Sequence, residues 1–495
     1  MSLSRQTAAQ CIAAGIAVVA TAILTLRAAL GPFRLPETHT VVGSPFFAEG
    51  AFWLALLVTL LFCGRRVAWN GTDRANTRPA LAPWLPLAVG FVIALAFAHN
   101  LADPFLSDDY TIVSGPAFHW SGFLAALHRA GGDGSWRPLT TAYYQTLIAL
   151  GGTDPVKWHV PGLVLHLLNS LLVFAIAWRL WRNQAAAVVS SLAFGLNGTR
   201  PEVALWTAGN ADLLACACVL AAIFLASGSS RTGFAPVLLL SCVGICFKES
   251  AYALPLIAAC ILWPHARNSI AAAAIACATL FAWRWHLFHG PGGYADPATG
   301  RPAIFSLHPL PVIKALLIRT WAVLLTPVNW DAPHTWWLPL SIGTSMLGML
   351  YLATTNREVS GRSGSTQLRL IAATCCAVLP AIHLALIGQS AMGSRVLYLP
   401  GALFALLPGS LLRDGDKRRI AVAAMMLLGM AGILEHNLSA WHSTALQAEA
   451  ACRTAQPGAA QPGTPVPVTN SGVPLFQNGF AECVASAHRT AESQR

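Results

Sequence analysis

The chain is poor in charge. Of its 495 residues only 10% are Asp, Glu, Lys or Arg, against about a quarter in an ordinary soluble domain. A sequence this short of charge, with 55% hydrophobic residues and a mean hydropathy of +0.56, cannot cover itself with a water-compatible surface. A soluble globular protein is therefore excluded. Metal-ligand spacing is also missing: there is no CxxC pair and no His/Cys cluster. No fixed-period or inverted repeat is visible. No small-residue cleavage site follows the first apolar run, and Arg5 is the only cation ahead of it, so the run reads as an uncleaved span rather than a signal peptide. The net charge is +11. Many of the cations lie in short loops between apolar runs, a placement that serves topology and gives no reason to expect nucleic-acid binding.

What is present is a succession of apolar runs close to the length that crosses a hydrocarbon core of roughly 30 Å. In lipid the backbone must satisfy its own polar groups, so these runs are expected to be helices. The expected fold is an all-α polytopic membrane protein. Thirteen runs qualify, at 9–30, 46–63, 81–99, 158–178, 185–199, 203–227, 233–247, 250–264, 269–288, 336–354, 369–389, 396–412 and 419–436. A further run, 310–327, carries Lys314 and Arg319 and reads as an interfacial or re-entrant helix. Thirteen crossings place every basic cluster on one side: Arg65, Arg66, Arg74 and Arg78, then Arg179 and Arg182, Arg231, Arg267, Arg357, Arg362 and Arg369, and Arg413 with Lys417–Arg419. By the positive-inside rule that side is the cytoplasm. The N-terminus is then cytoplasmic and the C-terminus periplasmic or extracellular, in the inner (plasma) membrane. Three regions follow: a two-span hairpin at 1–80, a membrane core at 81–436 with a large external loop at 100–157, and a small external tail at 437–495. Of the twelve cysteines, ten fall in or beside apolar runs as small fillers. Cys452 and Cys483 lie in the external tail, where pairing is plausible in an oxidising compartment.

The informative polar residues collect in the external loops. Asp108 and Asp109 stand side by side in ADPFLSDDYTIV. Adjacent carboxylates repel, and one can have a raised pKa suited to a general base; the alternative is a cap for a short interfacial helix. Trp136 and Arg137 follow in the same loop. Arg200, Glu202, Trp206, Asn210 and Asp212 lie around the start of the sixth run, Lys248 and Glu249 between the seventh and eighth, and Arg395 and Tyr398 around the start of the last but one. Ionisable groups at membrane depth are costly and usually mark function. Lys248–Glu249 can alternatively close a tight turn as an ion pair, and Arg395 can snorkel to headgroups. His159, His166 and Asn169 share one stripe of a span and read mainly as hydrogen-bonding glue between helices.

In sequence order, DDYTIV, WRPLTTAYYQTL with WHVPGLVLHLLNSLL, RPEVALWTAGNADLLA, FKESAYALPL and SRVLYLPGALFALL resemble the motifs of the GT-C glycosyltransferases that use polyprenyl-phosphate sugars. The resemblance is nearest to the membrane half of the transmembrane and tetratricopeptide-repeat O-mannosyltransferases and their bacterial relatives, and covers roughly residues 81–412. It departs where the family has His and this chain has Arg200, where the family has Arg and this chain has Asn210, and in the N-terminal hairpin. It implies a GT-C-type fold with interfacial helices in the first external loop. It also implies transfer of a sugar from a polyprenyl-phosphate donor to a hydroxyl on a protein, lipid or glycan, with inversion at the external face of the bilayer. Asp108 or Asp109 would be the base. Arg395, Lys248, Arg200 and Arg137 would meet the donor phosphate, and Glu202, Asn210, Asp212, Glu249, Tyr398 and Trp136 would line the substrates. Some enzymes of this type use a divalent cation, magnesium or manganese, and others none. A lipid-linked-sugar flippase would share the basic groove without needing the carboxylate pair, and a surface-polysaccharide polymerase or ligase would share the donor.

Overall fold

The computed structural model describes residues 3–31, 33–34, 41–42, 45–63, 81–129, 131, 134–228, 233–293, 309–355, 366–384, 387–412, 416–455 and 480–485. Helix dominates among them, with one short antiparallel pairing of Phe33–Arg34 and Val41–Val42. Among the described residues five helices are long and apolar enough to cross a membrane: Ala9–Leu30, Pro155–Trp181, Thr207–Ala226, Arg267–Phe288 and Lys417–Thr454. Seven shorter apolar helices match other expected runs, among them Trp84–Asn100, Gln184–Gly195, Phe234–Phe247 and Leu338–Thr354. The run at 396–412 is broken into Tyr398–Phe404 and Leu406–Ser410, with Pro400 and Pro408 each removing a backbone donor. The chain is an all-α membrane protein.

Helix Pro155–Trp181 shows how sequence sets the packing. Val156, Val160, Val164 and Leu168 recur every fourth residue and are exposed, while His159, His166, Asn169 and Ser170 are buried. The apolar stripe faces outward and the polar stripe faces the bundle, as lipid solvent requires. The buried groups tie helices together. A His159 ring nitrogen meets the Leu101 carbonyl at 3.1 Å, His166 meets the Tyr398 hydroxyl at 2.8 Å, and Asn169 donates to the Leu213 carbonyl at 2.9 Å. The reading of these residues as structural glue is borne out.

Helices Leu338–Thr354 and Lys417–Thr454 pack through small residues. A Cβ on Gly429 would fall on the Thr344 hydroxyl and 2.6 Å from the Ser341 carbonyl, and one on Gly432 would fall on the Ser341 hydroxyl. Close approach of backbones is a main source of helix association where lipid removes the hydrophobic drive.

The run 310–327 forms helix Pro309–Lys314, a π turn Ala315–Arg319 and helix Thr320–Leu325. It packs on helix Pro45–Cys63, with Trp53 stacked on Trp321 at 4.2 Å and Arg319 donating to Glu49 at 2.9 Å. Glu49 thus offsets the charge of Arg319.

The last helix passes residue 436 without a break and ends at Thr454. The boundary expected at 436/437 is therefore continuous helix, since no Gly or Pro interrupts 433–454. Cys452 is disulfide-bonded to Cys483. Arg65, Arg66, Arg74, Arg78, Arg231, Arg357, Arg362 and Arg413, and the Pro/Gly/Gln stretch after Ala455, lie outside the described residues.

Gly429→Ala is expected to lower the thermal transition of the detergent-solubilised protein, by about 1–3 kcal/mol of overpacking, while Gly15→Ala, where a Cβ meets nothing, leaves it unchanged. Equal transitions in the two variants would show that the close approach is not needed.

Candidate active site

The first external loop folds into three helices, Asp109–Val113, Trp120–Leu127 and Pro138–Gly151. The Asp pair opens the first of them and the two carboxylates diverge. Asp109 is buried, accepting from the Leu106 N–H at 3.4 Å and the Ala208 N–H at 3.3 Å. Burial, chiefly, pushes its pKa well above the usual carboxylate range, and the neighbouring Asp108 charge adds to this. Asp108 is half-buried at the helix start, with no side-chain cap bond there. The capping alternative therefore does not account for it.

Trp206 joins this loop to the far cation. Its indole N–H donates to the Leu106 carbonyl at 3.1 Å, two residues before Asp108, and the Arg395 guanidinium lies 4.3 Å from its ring centroid. Arg395 is itself fixed through Glu202. That carboxylate accepts from the Gly393 N–H at 2.9 Å, the Ser394 hydroxyl at 3.0 Å and the Arg395 N–H at 2.9 Å. Tyr144 completes the link, its hydroxyl donating to the carbonyls of Thr207 and Ala208 beside Asp109.

The remaining cations are paired. Lys248 forms a close ion pair with Asp212, and the charges of Arg137 and Arg395 act on it. Arg137 donates twice to Glu249, at 2.9 and 2.7 Å, and Arg284 donates to the other oxygen of Glu249 at 2.9 Å. Arg200 is placed differently from expectation. It is fully buried, its guanidinium 4.5 Å from the Phe194 ring centroid and 4.9 Å from that of Tyr398, with Nε donating to the Phe194 carbonyl. A residue sealed between two rings does not reach a phosphate at the rim. Of the four expected phosphate cations, Arg137 and Lys248 are paired with carboxylates and Arg200 is sealed among rings, which leaves Arg395 as the one that is not sealed and has no carboxylate partner among the described residues.

Several expected substrate contacts also serve the scaffold. Trp136 is buried and donates to the Leu127 carbonyl at 3.2 Å. Asn210 donates to the Tyr143 hydroxyl at 3.2 Å, and Tyr398 is buried against His166. Glu202 holds the backbone of 393–395 and is 4% exposed. Sequence reasoning passed over Arg284, whose one signal was a cation inside the apolar run at 269–288. It also passed over Asp103, which accepts from Asn100 at 2.7 Å and meets a His442 ring nitrogen at 2.6 Å. That contact ties the loop to the last helix.

Among the described residues no group of three or more His, Cys, Asp or Glu is placed to hold a metal. Magnesium is commonly bound by one or two carboxylates plus substrate phosphates. The site fits that pattern only through Asp108, because both oxygens of Asp109 already accept backbone N–H groups.

No family model matches this chain, and no solved structure matches it. Curated proteins do. It is 26% identical over 199 residues to the protein O-mannosyl-transferase TMTC1 of Mus musculus, covering 37% of this chain and 20% of that one. It is 30% identical over 93 residues to Tmtc1 of Drosophila melanogaster, covering 19% and 11%, and 26% identical over 164 residues to TMTC1 of Homo sapiens, covering 30% and 19%. This chain is a distant relative, over part of its length, of the TMTC1 O-mannosyl-transferases. It spans about a fifth or less of the length of the relatives it matches.

The raised pKa of Asp109 has a definite sign. Its folded-state value exceeds the unfolded one, so its contribution to stability is present below the ordinary carboxylate range and lost as pH rises through the raised value. Melting wild type and Asp109→Asn from about pH 5 to pH 8 should show wild type losing stability relative to the variant, by at most about 1.4 kcal/mol per pH unit. Parallel curves would mean that Asp109 does not titrate in this range.

Proposed function

We propose that this chain is a membrane glycosyltransferase that moves a sugar from a polyprenyl-phosphate donor to a hydroxyl acceptor with inversion. The observation that carries the reading is the bridge at Trp206, which holds the Asp108 loop and Arg395 to opposite parts of one indole. Asp108 takes the proton of the acceptor hydroxyl as the new oxygen–C1 bond forms. The bond from C1 to the phosphate oxygen breaks, and the polyprenyl phosphate leaves with the electron pair. Arg395 stabilises the charge gathering on that phosphate, with Lys248 adding positive potential from behind. Arg137 and Glu249 set the wall of the rim, and Glu202 positions Arg395. If the reaction uses a divalent cation, Asp108 is the carboxylate that would contribute to holding it, and the ion would add positive charge at the phosphate.

The relatives are named protein O-mannosyl-transferases, which makes mannose the first sugar to try and protein hydroxyls the first acceptors. In this reading the bundle crosses an inner (plasma) membrane thirteen times, with the N-terminus cytoplasmic and the site on the external face. The division into hairpin 1–80, core 81–436 and tail 437–495 belongs to the same proposal, with the tail beginning as an extension of the last helix.

The test is transfer by purified protein from radiolabelled polyprenyl-phosphate mannose to solubilised membrane acceptors. Asp108→Asn is expected to lose about 10²–10⁴-fold in rate, and Arg395→Ala about 10²–10³-fold, with donor binding retained in the first. Full activity in Asp108→Asn would remove the base and the mechanism with it. Movement of donor across vesicles by wild type and Asp108→Asn alike, with no transfer, would identify a flippase instead.

A further inference from the structure

Helices Pro155–Trp181 and Thr207–Ala226 both begin at the site and end together on the opposite face of the bundle. At 1.5 Å per residue the longer one carries its last turn roughly 40 Å from the Asp108 loop. Between these ends and helix Trp84–Phe97 lies a cavity of about 410 Å³. Its walls are apolar, formed by Pro86, Leu171, Phe174 and Phe224, and Arg179 and Arg182 stand at one end.

We propose that this groove binds an anionic diacyl phospholipid, one acyl chain between the helices and the phosphate against Arg179 and Arg182. The volume falls in the range of about 300–1,000 Å³ typical of ligand pockets. The charge is complementary. Neither arginine forms an ion pair among the described residues. Arg179 is held in place by donating to the Phe224 carbonyl at 2.7 Å with its guanidinium 4.6 Å from the Phe224 ring centroid. Gly228 leaves room for it: a Cβ there would lie 2.9 Å from Arg179 Nη2. Arg182 is exposed and ends the helix in a left-handed conformation, φ 55°, with its guanidinium 6.0 Å from the Trp178 ring centroid. Basic pockets between spans beside an apolar cleft are the recurring form of anionic headgroup sites. The groove lies a membrane's width from the proposed donor phosphate site, so the inference stands whether or not the chain transfers sugar.

Native mass spectrometry of the purified full chain in detergent tests this, after incubation with either dioleoyl phosphatidylglycerol or dioleoyl phosphatidylcholine. Wild type should retain one phosphatidylglycerol with about tenfold preference. Arg182→Gln, which removes no backbone contact, should lose most of that preference. Ala175→Phe, which fills the groove and keeps both cations, should lose retention of the lipid itself. Equal retention of the two lipids, or unchanged preference in Arg182→Gln, would overturn the proposal.

Discussion

One carboxylate holds the candidate site in register. The segment 393–395 runs from a turn into the short 3-10 helix Ser394–Leu397, where each buried unsatisfied backbone donor costs about 1–3 kcal/mol. Glu202 accepts three bonds from that segment, two of them from backbone N–H groups. Helix Pro201–Ala204, which carries Glu202, leads directly to Trp206. The anchor of Arg395 and the ring beneath it thus come from one five-residue stretch, and the Asp108 loop hangs from the same ring through Leu106. Moving any one of these elements moves the distance between base and cation.

Around this centre the bundle keeps its charges in opposed sets: Lys248 with Asp212, Arg137 and Arg284 with Glu249, and Arg319 with Glu49. Pairing does not make such groups strongly stabilising, because desolvation consumes most of the attraction, but removing one partner strands the other at a cost of about 3–5 kcal/mol. Loss of activity on mutating a paired residue would therefore say little about chemistry. The groups that carry chemical information are Arg395, with no carboxylate partner among the described residues, and Asp108, half-exposed beside a buried twin.

Much of the fold was legible. Apolar run length located the helices because lipid imposes one backbone solution on every such run. The stripe of His159, His166 and Asn169 was readable as glue because its spacing puts it on one face. Pairing of Cys452 with Cys483 followed from two tail cysteines standing apart from the apolar fillers. The number of full crossings did not follow from run length alone, since Pro400 and Pro408 cut one run and several helices stay at 10–17 residues. The site was legible as a set of residues but not as roles. Sequence shows that Arg200, Glu202 and Arg395 lie near one face. It does not show that Glu202 turns toward a backbone 191 residues away, or that Arg137 and Arg284 share one glutamate. Those facts depend on long-range pairing, and no local pattern encodes it.

Arg200 and Asn210 both serve the scaffold. Arg200 occupies a slot between Phe194 and Tyr398, and a Cβ on Gly401 would fall on its guanidinium. The glycine and the arginine therefore fit each other: the larger side chain needs a neighbour without one. Two of the Arg200 nitrogens have no hydrogen-bond acceptor among the described residues, and the faces of Phe194 and Tyr398 stand against the guanidinium instead. Asn210 likewise meets Tyr143 on the loop helix rather than the rim. Asp108, Trp206 and Arg395 are the three residues on which the proposed chemistry depends.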